Sequence, residues 1–373
     1  MRRIAIIQDW LTGMRGGEKV LEVLCDVFPR ADIFTLVHLP GRLSPAIESH
    51  RIITSPLQKF PIIGAYYRNL LPLMPWAIEQ LDFTGYDLLI SNSHCVAKAA
   101  RPPAGARHVC YCLTPMRYIW DQYNDYFGPG RASPAIRAAM ALLRRSLQRW
   151  DLSTLSRVHE FITDCRNIQE RVHRIYHRES PIIYPPADVD FYSGQPPGTI
   201  AGRRTPDDFY LIVSALAPYK RVDVATEAFR RLGRKLVVIG EGQESKALRE
   251  RSGPHVEFLG WRSNEDLRRY YQACRGLIFP GEEDFGIVPV EAMAAGCPVI
   301  AYRKGGALET IEENRTGIFF DHQTPEALIE AVERFEKKSF DPAAISAHAQ
   351  QFSRRHCEEA FRAYFLDYLP EMS

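Results

Sequence analysis

The chain has 373 residues, 46% hydrophobic and 25% charged, which suits two ordinary soluble cores and excludes a disordered or fibrous class. Its net charge of +2 is uneven: residues 1–190 hold 23 Lys and Arg against 18 Asp and Glu (+5), and the rest hold 24 against 27 (−3). That modest excess argues against duplex nucleic acid as a partner, and no run approaches the ~18 to 20 apolar residues of a membrane span.

Arg3 to Gln8 reads as a buried strand, followed by a turn with Gly13, Gly16 and Gly17 and a helix from about Glu18 to Phe28, whose stripe is Val20, Leu21, Val23, Leu24 and Val27. The polar residues Gln8 and Asp9 come too early for a signal peptide, so a cytoplasmic location is expected. Glycines in Arg15-Gly16-Gly17-Glu18 suit either a tight turn or backbone amides facing a phosphate or an acceptor hydroxyl. Leu57 to Leu81 and the expected helix Ile136 to Trp150 combine apolar side chains with Lys59, Arg68, Arg137, Arg144, Arg145 and Arg149. Such stretches fit a solvated helix face or peripheral contact with an anionic membrane surface.

Leu88 to Ile90 and His108 to Tyr111 are short apolar runs consistent with parallel strands. Ser91-Asn92-Ser93-His94 follows the first of them and sets His94 at a strand's carboxyl end. Arg117, Tyr118, Trp120 and Asp121 lie on an aromatic loop that can either stack a sugar ring or pack internally. Prolines and glycines crowd residues 180–208, which marks an interdomain linker. Strands and helices then alternate: Tyr210 to Ser214, Val222 to Leu232, Lys235 to Ile239, Ser245 to Arg251, Val256 to Phe258, Asn264 to Gln272, and Gly276 to Phe279. This pattern predicts a parallel, doubly wound sheet. A last helix near Cys357 to Tyr368 carries Phe361, Tyr364, Phe365 and Tyr368.

Three motifs in the second half carry chemistry. Lys220 and Arg221 follow its first strand, where cations oppose the dipole of the coming helix unless an anion is bound. Gly240-Glu241-Gly242 is an incomplete dinucleotide fingerprint, because Ser245 takes the last glycine position. In the stretch from Pro280 to Gly296, Glu283 and Glu291 lie eight positions apart, with Phe285-Gly286-Ile287 between them. Pro289 and Gly296 predict a short helix beginning just before Glu291 and ending before Pro298. Amides at that helix start suit a phosphate, and the carboxylates suit sugar hydroxyls.

Eight cysteines without a CxxC spacing read as reduced and structural. Asp188-x-Asp190 falls in the linker, and His173 with His177 reads as a solvated basic face, so no metal is expected.

These residues resemble the retaining GT-B-fold glycosyltransferases of family 4, and within them bacterial O-antigen and exopolysaccharide mannosyltransferases. The resemblance rests on Glu283 to Glu291, Lys220, Gly240 with Gly242, the segment Ile183 to Asp190, and Gly16, Gly17 and His94. It implies two Rossmann-like doubly wound domains facing across a cleft: an acceptor-binding domain over 1–185, a linker over 186–208, and a nucleotide-sugar domain over 209–352, followed by a C-terminal helix over 353–373 that can pack back on either domain. It further implies sugar transfer with retention, without metal or other cofactor, most simply from GDP-mannose to a lipid-linked or oligosaccharide acceptor. His94, Lys220 and Glu283 are then the catalytic set. Gly16, Gly17, Lys220, Arg221, Gly240, Gly242, Phe285, Gly286, Ile287 and Glu291 hold the donor, and Arg117, Tyr118, Trp120 and Asp121 hold the acceptor. The pattern departs at Ala215, where the family often has arginine; Arg221 is the candidate replacement. A UDP-sugar donor, a nucleotide-sugar epimerase and a noncatalytic sugar- or partner-binding protein remain the alternatives.

Overall fold

A computed structural model describes residues 2–130, 132–194 and 208–366. The chain packs as two compact units, one running to Pro186 and taking up the chain again from Cys357, the other spanning Ala187–His356. In the first, β1 (Ile4–Gln8), β2 (Asp32–Thr35), β3 (Ile52–Thr54), β4 (Leu88–Ser93), β5 (Arg107–Cys112) and β6 (Glu160–Thr163) form one parallel sheet in the order β3-β2-β1-β4-β5-β6. In the second, β7 (Phe209–Val213), β8 (Lys235–Ile239), β9 (Val256–Gly260), β10 (Leu277–Phe279), β11 (Val299–Tyr302) and β12 (Gly317–Phe320) give β12-β11-β10-β7-β8-β9, also parallel. Numbered from each unit's own first strand, both sheets have the order 3-2-1-4-5-6 of a doubly wound Rossmann-like fold. The GT-B class expected for the chain is therefore present as two such domains.

Helices cover the sheet faces, so central strands are apolar along their length rather than alternating. In β4 all six residues are buried, including Ser91, Asn92 and Ser93. These three were expected beyond the strand, but pairing with β1 and β5 continues to Asn92 and Ser93. Asn92 Nδ2 donates inside, to Gln8 Oε1 at 2.7 Å and to the Gly17 carbonyl at 2.8 Å, while its Oδ1 is buried without a hydrogen-bond partner. Ser91 Oγ lies 2.9 Å from Nε2 of His108, whose Nδ1 is 3.0 Å from the Arg157 carbonyl. Burial pushes the His108 imidazole down from 6.5 to about 3. The unfolded chain therefore takes up a proton below pH 6.5 that the folded chain refuses. Stability should be constant on this account above pH 6.5 and fall by about 1.4 kcal/mol per pH unit between there and pH 3. Urea unfolding at pH 7 and pH 5 is expected to show that loss, and His108→Gln is expected to flatten it.

The helix Gly16–Val27 starts two residues before the expected position, and the C-terminal helix spans Arg354–Tyr364. Phe361 lies 5.3 Å from Tyr111 and Phe365 lies 5.3 Å from Phe28, ring centre to ring centre, so this helix joins the first unit's core. Tyr368 lies outside the described residues. Within the expected linker, Val189–Ser193 is a short helix of the second unit, while residues 195–207, including Pro196, Pro197 and Pro206, lie outside the described residues. All eight cysteines are buried thiols. Among the described residues, no helix is long and apolar enough to cross a membrane.

Candidate active site

In open α/β sheets, ligands bind beyond the carboxyl ends of the strands, where the strand order reverses. That point lies between β7 and β10 in the second unit, and between β1 and β4 in the first. The chain places a pair of titratable side chains at each.

After β7 the chain forms a single turn, Pro218–Lys220, and Arg221 takes a left-handed conformation (φ 51°) before the helix Val222–Leu232. After β10 comes the loop containing Glu283. Gly281 lets this loop pass over Lys220, since a Cβ there would lie 3.0 Å from Lys220 Cα. Lys220 Nζ consequently sits 2.5 Å from Glu283 Oε1, with both side chains mostly shielded. The loop is fixed from the other side, where the Gly306 amide donates to the Glu283 carbonyl at 2.9 Å and a Cβ on Gly306 would overlap Phe285 backbone.

The helix after this loop is Ile287–Ala294, beginning two residues before Pro289. Pro289 falls in the first turn rather than at its first position, which costs nothing because amides there have no intrahelical partner. Gly286 supplies the left-handed start (φ 85°). By geometry the amides of Ile287 and Val288 point out of the helix end, the arrangement that suits an anion. Glu291, one turn further on, is buried. Burial, and then the Glu291 charge, push the hydroxyls of Tyr192 and Tyr271 up, which places its carboxylate beside these two rings.

Three residues of the expected donor set have partners within the chain. The Arg221 guanidinium turns to Asp223 (3.2 Å) and the Gln323 carbonyl (3.4 Å). The Gly240 amide donates to the Gly260 carbonyl at 2.9 Å, and the Gly242 amide to Ser245 Oγ at 3.0 Å. A Cβ on Gly240 would come within 1.9 Å of the Ser214 carbonyl, and one on Gly242 within 2.4 Å of that of Leu216. These glycines let two backbone loops touch, and their amides are already used.

At the first unit's switch point, Asp9 follows β1 and His94 follows β4. Asp9 is fully buried and accepts four backbone hydrogen bonds of 2.6 to 2.9 Å, from His94, Cys95, Val96 and Ala97. His94 Nδ1 lies 3.0 Å from Asp9 Oδ2, and its ring meets Trp10 edge-on at 4.5 Å. Burial alone would push the Asp9 carboxyl up, but His94 and the turn amides outweigh it and hold the group below the usual carboxylate range. An ionised Asp9 favours the Nδ1–H tautomer of His94, with Nε2 the ring nitrogen outside this pair. The motif reading missed Asp9. The signal available was an acid at the carboxyl end of the first strand.

Gly16 and Gly17 open the helix beside this pair, and a Cβ on Gly17 would press on Leu113 at 3.0 Å. Glu18 is buried at the third helical position, where burial pushes its carboxyl up while bonds to its own amide and that of Arg15, with the charges of His94 and Arg15, act the other way. It closes the helix start in the manner of a capping box.

The expected acceptor loop is mostly structural. Trp120 Nε1 donates to Asp151 Oδ2 at 2.8 Å, and Asp121 pairs with Arg174 at 2.8 Å and Arg171 at 3.5 Å. Tyr118 packs edge-on to Tyr126 at 4.7 Å, and burial pushes its hydroxyl up. Trp120 and Asp121 are thus held by the helices Pro134–Ser153 and Arg166–Tyr176.

Residues 200–352 match the profile of glycosyl transferases group 1. The chain is 30% identical over 165 residues to O-antigen chain mannosyltransferase C of Escherichia coli, covering 42% of this chain and 43% of that protein. It is 34% identical over 126 residues to a GDP-mannose-dependent alpha-mannosyltransferase of Mycobacterium tuberculosis, covering 32% and 33% respectively. The matched segments thus span less than half the length of these curated relatives. Over 98% of this chain and all of theirs, the fold matches Anabaena HepE in complex with UDP (TM-score 0.69, 18% identity) and the apo lipopolysaccharide outer core galactosyltransferase WaaB (TM-score 0.67, 14% identity). In sequence the second unit is similar to glycosyl transferases group 1, and in fold the chain is similar to solved glycosyltransferases.

Proposed function

We propose that the protein is a hexosyltransferase that moves mannose from GDP-mannose to a lipid-linked or oligosaccharide acceptor, with retention and without a metal. The observation that carries this reading is the Lys220 to Glu283 contact of 2.5 Å at the β7/β10 switch point, a cation and a carboxylate beside an anion-binding helix start. Without donor each neutralises the other; a nucleotide sugar exchanges the partners, with Lys220 taking the diphosphate and Glu283 the sugar hydroxyls. The Gly286 and Ile287 backbone faces the phosphate, and Glu291 takes the ribose. In the reaction the bond from the anomeric carbon to the diphosphate oxygen breaks, and a bond to the acceptor oxygen forms on the same face. The acceptor proton passes to the departing diphosphate, whose charge Lys220 stabilises. The first unit's switch point, with His94 held by Asp9, is the proposed acceptor side.

Mannose and GDP are supported by the names of the sequence relatives. A UDP-sugar is the second reading, favoured by the UDP bound in HepE. Incubation with each labelled donor and a panel of lipid-diphosphate oligosaccharides is expected to give an α-mannoside from GDP-mannose. Transfer only from a UDP-sugar would select the second reading. Interconversion of a donor sugar without any acceptor would indicate an epimerase.

A further inference from the structure

Two segments of the first unit bury one side in a common core and leave large apolar side chains outside. From the first, Ile63, Tyr67, Leu71 and Met74 enter the core; from the helix Pro134–Ser153, Met140 and Leu147 do. On the outside, Ile62 is 73% exposed, Tyr66 56%, Trp76 49% and Leu142 82%. Monomeric soluble proteins tolerate scattered apolar side chains, but two such segments over one core mark an interaction surface.

The charge pattern says which kind. Residues 49–78 contain no Asp or Glu and carry Arg51, Lys59 and Arg68; residues 126–150 contain none either and carry Arg131, Arg137, Arg144, Arg145 and Arg149. Arg144 is spent internally on the Ile119 carbonyl and the Tyr123 ring, while Lys59, Arg145 and Arg149 are exposed. Arg51 pairs with Asp32 at 3.9 Å. Aromatic and aliphatic side chains among the exposed cations Lys59, Arg145 and Arg149 match the boundary of an anionic bilayer, where rings lie at headgroup level and each cation adds attraction. Ile62 adds a second sign. A β-branched residue is strained at φ 55°, and strain at an exposed residue points to a role in binding.

We propose that this face of the first unit docks on an anionic lipid surface, seating Tyr66, Trp76 and Leu142 at the acyl boundary and Lys59, Arg145 and Arg149 among the headgroups. The inference is independent of the donor site, because its test needs no nucleotide. The full-length protein is mixed with vesicles of phosphatidylcholine alone, or of equal parts phosphatidylcholine and phosphatidylglycerol, and floated on a density gradient. Wild type is expected to float with the phosphatidylglycerol vesicles only. Trp76→Ser/Leu142→Ser and Arg145→Glu/Arg149→Glu are each expected to cut that binding about tenfold or more, with thermal unfolding unchanged since all four side chains are outside the core. No binding to anionic vesicles, or undiminished binding by the Trp76→Ser/Leu142→Ser variant, overturns the proposal. So does a concentration-dependent dimer that this variant abolishes, which would assign the face to a second copy of the chain.

Discussion

Lys220→Ala is expected to lower kcat/KM for transfer by about 10²- to 10³-fold, roughly 3–4 kcal/mol of transition-state stabilisation, with the fold intact. The loss should lie mainly in kcat, because negative charge grows on the diphosphate as the glycosidic bond breaks and Lys220 is the cation at that point. The lysine pairs with Glu283, whose side chain is 24% exposed, so its removal leaves that carboxylate in contact with water. Arg221→Ala is the control. Its guanidinium is turned to Asp223 and Gln323, and its loss should change the rate by less than about fivefold, the scale of an exposed ion pair. Equal losses in the two variants, measured as initial rates over a range of donor concentration, would mean that both cations hold the diphosphate.

Asp151→Ala should be the most destabilising single change in the first unit, by ~3–5 kcal/mol. Lys98 is 2% exposed and Asp151 fully buried, with Nζ 3.0 Å from Oδ1. Lys98 also donates to the Asp151 carbonyl (2.7 Å) and Thr154 Oγ1 (2.9 Å), while Oδ2 accepts from Trp120 and from the Tyr176 hydroxyl at 3.0 Å. Removing the carboxylate strands an ammonium in the interior and orphans two further donors. Lys98→Met/Asp151→Leu removes both charges and replaces them with similar volume, so it should be much less destabilised than Asp151→Ala. Urea unfolding of the three proteins measures this. A single variant within ~1 kcal/mol of wild type would show that water reaches the site.

Both features bear on what was legible in the sequence. The strand and helix alternation from Phe209 to Phe279 was read nearly residue for residue, because buried parallel strands are short apolar runs and their helices carry clear stripes, whereas the strands Val299–Tyr302 and Gly317–Phe320 and the helix Pro325–Glu336 were not read. Lys220 and Glu283 were legible for the same reason: each lies a few positions beyond a recognisable strand. Asp9 and the Lys98–Asp151 pair were not. Asp9 reaches the 94–97 amides only because β1 and β4 are neighbours, and Lys98 meets Asp151 across 53 positions of chain. Long-range pairing of polar groups leaves no periodic trace, so Asp151 on an arginine-rich helix looks like a solvated charge. Trp120 and Asp121 were legible as a pair of residue types, and their internal partners were not. An aromatic beside a carboxylate suits a sugar ring, yet here each is fixed by a neighbouring helix. Gly240 and Gly242 serve backbone packing, a demand that the sequence alone does not separate from phosphate binding.

The central claim, that the β7/β10 switch point holds the diphosphate of a nucleotide sugar, is tested most directly by calorimetric titration of GDP and UDP into wild type and Lys220→Ala. The account predicts saturable one-site binding of one of the two nucleotides to wild type, weakened at least about tenfold in the variant, the scale of a charge-assisted contact. Binding of neither nucleotide, or equal binding by both proteins, would contradict it.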